Sequence, residues 1–144
     1  MDYSRNLESN ILPTKSKCML PRVLIVEDEN LISWALSNTL KKSGFETTVV
    51  DSGEKAIDQL TIEIFDLIIT DIKLPHIDGF QVASTVKAIT PSTPVIMISA
   101  SQNQNIEEAV NGSDIDYFIE KPFDLKKILE LVEKFVTKTS ISQI

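Results

Sequence analysis

The chain is predicted to fold as one α/β domain, a parallel sheet covered by helices on both faces. Three observations lead there. Short β-branched apolar runs recur five times, separated by longer segments whose apolar residues fall three and four apart. The runs are apolar throughout rather than alternating, as in strands buried on both sides. And 144 residues with 42% hydrophobic and 24% charged content suffice to bury a core without disulfide or metal staples.

The elements follow in order. Residues 1–20 are polar and aperiodic and contain Pro13, so they are expected to form a flexible extension. Met19, just before the ordered pattern, competes with Met1 as the true start. Val23–Val26 reads as a buried strand. Asn30–Ser43 reads as a helix with Ile32, Leu36 and Leu40 on one face, stopped by Gly44. Phe45–Val50 is the second strand and Gly53–Ile64 the second helix, carrying Ala56, Ile57 and Leu60. Phe65–Thr70 is the third strand, followed by a loop punctuated by Pro75 and Gly79. Phe80–Ile89 is a helix closed by Pro91 and Pro94, and Pro94–Ser99 the fourth strand. A short helix is expected at Ile106–Val110, ended by Asn111-Gly112, and a fifth strand at Tyr117–Ile119. Asp124 caps a last helix, whose Leu125, Ile128, Leu129, Val132, Phe135 and Val136 keep helical spacing. The domain is thus placed at 21–138, with a frayed tail at 139–144. No linker toward a further domain is visible in the pattern.

Composition excludes several classes. A net charge of −7 and a pI near 4.7 argue against direct nucleic-acid binding and against an anionic membrane surface. The apolar runs are strand-length, so no membrane insertion is expected, and "CMLP" is too short for a signal peptide. One cysteine, Cys18, allows no internal disulfide framework and fits the cytoplasm.

The chemistry-bearing residues sit where strands end. Glu27, Asp28 and Glu29 follow the first strand, Asp71 ends "DLIITD", Ser99 ends "VIMIS", and Lys121 follows the fifth strand in "FIEKPF". In a parallel α/β sheet these carboxyl ends share one edge, where ligands bind. Acids, a hydroxyl and an ammonium meeting there suit an acyl-phosphate site with its metal. Each residue also has a plainer reading. Acids at a helix start complement its dipole, a strand-end Asp or Ser often serves a turn, and most lysines are solvated. His76, the single histidine, makes no metal cluster and sits in a turn expected to be exposed. Trp34 lies one step off the apolar face of the first helix, so a half-exposed rim position is expected.

Asp71, Pro75, Asp78 and Gly79 stand at D-x-x-x-P-x-x-D-G spacing. With "VLIVEDE", "DLIITDIKLPHIDGF", "VIMISA" and "YFIEKPF" in this order, the chain resembles the receiver domain of two-component response regulators over about Arg22 to Val136. The resemblance is to a stand-alone receiver of the chemotaxis-regulator kind. It implies a flavodoxin-like (βα)5 sandwich with strand order 2-1-3-4-5. It further implies that Asp71 accepts a phosphoryl group from the phosphohistidine of a histidine kinase or a histidine phosphotransfer protein. Asp28 and Asp71 would ligate Mg2+ with the main-chain carbonyl of Lys73, Glu27 helping through water. Lys121 would pair with one phosphoryl oxygen and Ser99 would hydrogen-bond another. Pro122 would follow a cis peptide bond, and Phe118, with Tyr117 adjacent, would be the switch aromatic. Ala100 would leave the acyl phosphate accessible, while Lys73 and Ser101 hold positions that tune water attack. Such a domain catalyses only its own phosphorylation and dephosphorylation.

The implied output surface combines the short helix at 106–110, the fifth strand and the last helix. Here "SQNQN" is long, "IEEAV" short, and "NGSDID" replaces a Gly-Ala ending, so the output partner stays open. Output is by protein–protein binding or by onward phosphotransfer in a relay. Two rivals share the fold class. A haloacid-dehalogenase-type aspartyl-phosphate phosphatase needs a second Asp two residues after its nucleophile, where this chain has Lys73. A flavin carrier needs a Ser/Thr/Gly-rich loop after the first strand, where this chain is acidic. Fold alone does not choose among them.

Overall fold

The computed structural model describes residues 20–100 and 114–142, with side chains to 136. Five parallel strands form one sheet, β1 (Arg22–Val26), β2 (Glu46–Val50), β3 (Leu67–Asp71), β4 (Val95–Ser99) and β5 (Tyr117–Glu120). Their spatial order is β2-β1-β3-β4-β5. The described helices are α1 (Asn30–Lys42), α2 (Gly53–Ile62), α3 (Gly79–Ile89) and α4 (Leu125–Ser142). The helix expected at 106–110 and the 1–19 extension lie outside the described residues.

Alternation along each strand divides the core in two. Val23, Ile25, Leu67, Ile69, Ile96 and Ile98 point to one face and pack with residues of α1 and α4, among them Leu36, Leu40, Ile128 and Val132. Leu24, Val26, Ile68 and Val95 point to the other and meet Ala56, Leu60, Val82 and Val86 of α2 and α3. With both faces covered, β3 and β4 are buried at every position, which is why Leu67–Ile69 and Val95–Ile98 are apolar without a break.

Chain punctuation is local and physical. Gly44 adopts φ +92 and closes α1: its amide donates to the Lys41 carbonyl at 3.2 Å and the Phe45 amide to that of Leu40 at 3.1 Å. This is the Schellman arrangement, and it drops Phe45 into the core. The second helix ends at Ile62 rather than Ile64. Glu63 is already extended, so that its carboxylate reaches Arg22 at 2.9 Å. β3 accordingly begins at Leu67, not Phe65; Phe65 is buried but precedes the strand. The helical backbone of α4 continues past the limit at 138 to Ser142.

The strand order fixes the site. From β1 the chain moves outward to β2, then returns to β3 on the other side of β1. The crevice between the carboxyl ends of β1 and β3 is a topological switch point, the place where open parallel sheets bind ligands. Glu27 and Asp28 follow β1, and Asp71 ends β3.

Candidate functional site

Asp71 is the last residue of β3, paired with Ile98 across the ladder to β4, and its side chain is 8% exposed. One carboxylate oxygen from each of Glu27, Asp28 and Asp71 lies within 4.8 Å of the others. Glu27 is buried, Asp28 exposed. Three hard oxygen donors at a crevice mouth, one open to water, suit a small divalent cation such as Mg2+, which keeps several of its waters. The Lys73 amide donates to Asp71 Oδ1 at 3.3 Å, so the β3–α3 loop closes back on the same carboxylate.

Lys121 enters from β5. Its Nζ stands 2.9 Å from Glu27 Oε1, 3.0 Å from Asp71 Oδ2 and 3.4 Å from Glu29 Oε1. The Lys121–Pro122 peptide is cis, and the Lys121 amide donates to the Ser99 carbonyl at 2.7 Å. Burial pushes the Glu27 carboxyl up to about 7; the Asp71 charge adds to this, while hydrogen bonds from Lys121 and the Glu29 amide oppose it. For Lys121, burial disfavours the ammonium, but hydrogen bonds and charge from Glu27 and Asp71 outweigh it and raise its pKa. The crevice therefore holds more negative than positive charge and has one fixed cation beside Asp71.

The loop after Asp71 is held tightly. Asp78 caps α3 in a capping box: the Gln81 amide donates to Asp78 Oδ1 at 2.9 Å and the Asp78 amide to Gln81 Oε1 at 3.0 Å. Gly79 lies so close to the Asp71 carbonyl that a Cβ there has no room, and its amide donates to the Ile72 carbonyl at 2.9 Å. His76 is exposed at φ 65, in the left-handed region.

Ser99 ends β4 beside β3 and is 2% exposed. Phe118 is half-buried opposite Met97; Tyr117 faces the other side, its ring edge-on to Phe135 with centroids 6.3 Å apart. Ser101 and the expected 106–110 helix lie outside the described residues. Trp34 is 64% exposed, more than a rim position implies. Leu31, 78% exposed, lines an open groove of about 470 Å³ with Ile32, Ala35, Pro122, Phe123 and Leu125. Lys121 forms one wall of that groove, which makes it continuous with the crevice. Sequence reasoning missed this groove and the contact of Glu29 with Lys121; the run of three acids after β1 was the available signal for the latter.

The profile of the response regulator receiver domain matches residues 23–133. The response regulator protein FleR of Pseudomonas aeruginosa is 36% identical over 117 residues, covering 81% of this chain but 24% of FleR, so the chain spans about a quarter of that relative. Among solved structures, a CheY-like receiver domain from Methanospirillum hungatei superposes with TM-score 0.80 at 23% identity, covering 85% of this chain and 98% of that one. The receiver domain of a P. aeruginosa PAO1 sensor histidine kinase, solved with magnesium coordinated in its active-site cleft, superposes with TM-score 0.74 at 22% identity over 82% of this chain and 98% of that one.

Proposed function

The chain belongs to the response regulator receiver domain family of two-component signalling, and from that premise we propose that Asp71 is its phosphoacceptor. The observation that carries the assignment is the Lys121 ammonium 3.0 Å from Asp71 Oδ2, inside a crevice that also gathers Glu27 and Asp28. Phosphoryl transfer needs in-line positioning and positive charge around the equatorial oxygens. The chain supplies one such charge through Lys121. Glu27, Asp28, Asp71 and the Lys73 carbonyl are the residues that would hold Mg2+, which when bound supplies the rest. The P. aeruginosa kinase receiver with magnesium in its cleft supports this reading.

In this reading the Asp71 carboxylate attacks the phosphorus of a phosphohistidine, the P–N bond breaks and the imidazole leaves. Lys121 holds one phosphoryl oxygen and the Ser99 hydroxyl another, and Phe118 follows Ser99 inward. The donor is a histidine kinase or histidine phosphotransfer protein, and the apolar groove beside Lys121 is the surface this chain offers to it. Output passes to a protein partner, through a surface that includes β5 and α4, or onward in a relay. The domain turns over no substrate apart from its own Asp71, and it acts in the cytoplasm. Among the described residues no helix is long and apolar enough to cross a membrane. The phosphatase alternative has no support: Lys73 stands where its general acid is required.

The experiment is phosphate incorporation from acetyl phosphate with and without Mg2+. The wild type should label only with the metal, and Asp71→Asn should not label. Equal labelling of Asp71→Asn would overturn the assignment. Ser99→Ala should still label but lose the beryllofluoride-induced amide shifts of β5.

A further inference from the structure

A glycine outside the crevice sets the shape of the loop that closes on Asp71. Gly53 is the first residue of α2, preceded by Ser52, whose hydroxyl accepts from the Lys55 amide at 3.2 Å. It lies against Ile77 of the β3–α3 loop. A Cβ on Gly53 would come 2.6 Å from the Ile77 carbonyl oxygen and 2.8 Å from both its Cβ and Cγ2. Side-chain carbons do not approach backbone oxygens that closely, so any larger residue must push the loop or the helix away. Ile77 cannot simply swing aside, because it packs against the α2/α3 core and the next residue, Asp78, is locked in the capping box.

The loop is therefore held from two sides by close contacts that leave no room for a Cβ. Gly79 fixes its end on the Asp71 carbonyl, and Gly53 fixes its crest at Ile77. Between them, the start of the loop places the Lys73 amide on Asp71 Oδ1. We propose that Gly53 is a positioning residue for the cation site: its missing Cβ lets α2 and the β3–α3 loop close, which brings the main chain around Lys73 onto Asp71. This rests on the reading of the crevice as a cation site. A purely helical role for Gly53 carries the opposite expectation, since alanine is the better helix former at an unobstructed position.

The test compares Gly53→Ala with Ser52→Ala, which weakens the same helix start without adding atoms toward Ile77. Mg2+ affinity is read from the rise of the melting temperature with Mg2+ concentration, and loop position from metal-free amide shifts. Gly53→Ala should weaken Mg2+ by about tenfold or more, the size of effect seen when outer support of a metal site is lost. It should also shift the amides of Ile72–Asp78. Ser52→Ala should lower the melting temperature while leaving the Mg2+ affinity and those amides unchanged. Should Gly53→Ala not fold, Ile77→Ala, which removes the Cγ2 contact with Gly53 and the packing of Ile77 on the α2/α3 core, should weaken Mg2+ in its place. Wild-type affinity in the folded variant would overturn the role of Gly53 alone, and so would an equal loss in Ser52→Ala. A wild type that binds no Mg2+ would overturn the reading of the crevice and this inference with it.

Discussion

Lys121 Nζ sits 3.0 Å from Asp71 Oδ2 and 2.9 Å from Glu27 Oε1, bridging two carboxylates from two different strand ends. The side chains are 10%, 8% and 2% exposed, so water does little to screen them. Before any phosphate arrives, the ammonium that would neutralise it already neutralises the acids. The site is pre-assembled around that one cation.

Removing the cation should therefore cost stability. Lys121→Met leaves Glu27 and Asp71 facing each other, and at mildly alkaline pH the loss should be about 3 kcal/mol, as for other broken buried pairs. Mild acid should recover part of it by protonating a carboxyl, and Mg2+ should recover more by taking the ammonium's place. Denaturant unfolding at both pH values checks this; a variant as stable as wild type under all conditions would contradict it.

Mg2+ affinity should depend on pH through Glu27. Its pKa, raised from 4.5 to about 7 chiefly by burial, means the folded, metal-free protein holds a proton there below about pH 7 and carries the carboxylate above it. In the sign of the linkage, this group's contribution to metal-free stability is present below 4.5 and is lost as pH rises through about 7. A metal that needs the ionised form must displace the proton, so affinity should climb through that window and level off above it. Calorimetry in buffers of different ionisation heat should detect the released proton. Asp28→Ala should abolish Mg2+ stabilisation; it should stabilise the metal-free protein by less than the roughly 3 kcal/mol that two charges 5 Å apart exchange at an effective dielectric near 20, because Asp28 is exposed.

Donor docking should separate from chemistry. Leu31→Glu places a charge in the apolar groove without touching Asp71 or Lys121. Phosphotransfer from a phosphohistidine protein should slow by an order of magnitude or more, as when one central interface contact is lost. Labelling by acetyl phosphate should stay at the wild-type rate. Parallel loss of both would place Leu31 in the fold rather than the interface.

A fourth expectation concerns the sheet's opposite edge. Asp116 Oδ2 accepts from the Val95 amide at 2.7 Å and from Lys87 Nζ at 2.8 Å, tying the starts of β4 and β5 to α3. Asp116→Ala should lower stability by about 1–2 kcal/mol, the effect of losing such hydrogen bonds. Because this clamp lies at the other end of the strands, phosphate incorporation should not change. A fall in labelling at temperatures where the variant is folded would contradict that separation.

Much of this was legible in the sequence, for identifiable reasons. Strands buried on both faces leave continuous apolar runs, and the residues that end them, Asp71 and Ser99, share an edge whatever the strand order. Helix stops such as Gly44 are local chemistry. What escaped was long-range and polar. The Arg22 amide donates to Asp66 Oδ2 at 2.7 Å, and its guanidinium reaches Glu63; these pairs span more than forty residues and follow no period. The same ties moved the end of α2 and the start of β3 away from the bounds that periodicity suggested. Gly53 and Ile77 meet only because β2 and β3 flank β1, and a glycine's close contact leaves no mark on hydropathy. The strand order itself came from resemblance, since five similar strands carry no local sign of their neighbours.

The central claim is that Asp71 carries an acyl phosphate. Borohydride reduces an aspartyl phosphate to homoserine, so treating the acetyl-phosphate-labelled protein and sequencing its peptides by mass spectrometry identifies the modified residue. Homoserine at position 71, formed only with Mg2+ and absent without the phosphodonor, is the result expected. Homoserine at Asp28 or Asp78, or an unmodified Asp71 in protein that has incorporated phosphate, would contradict it.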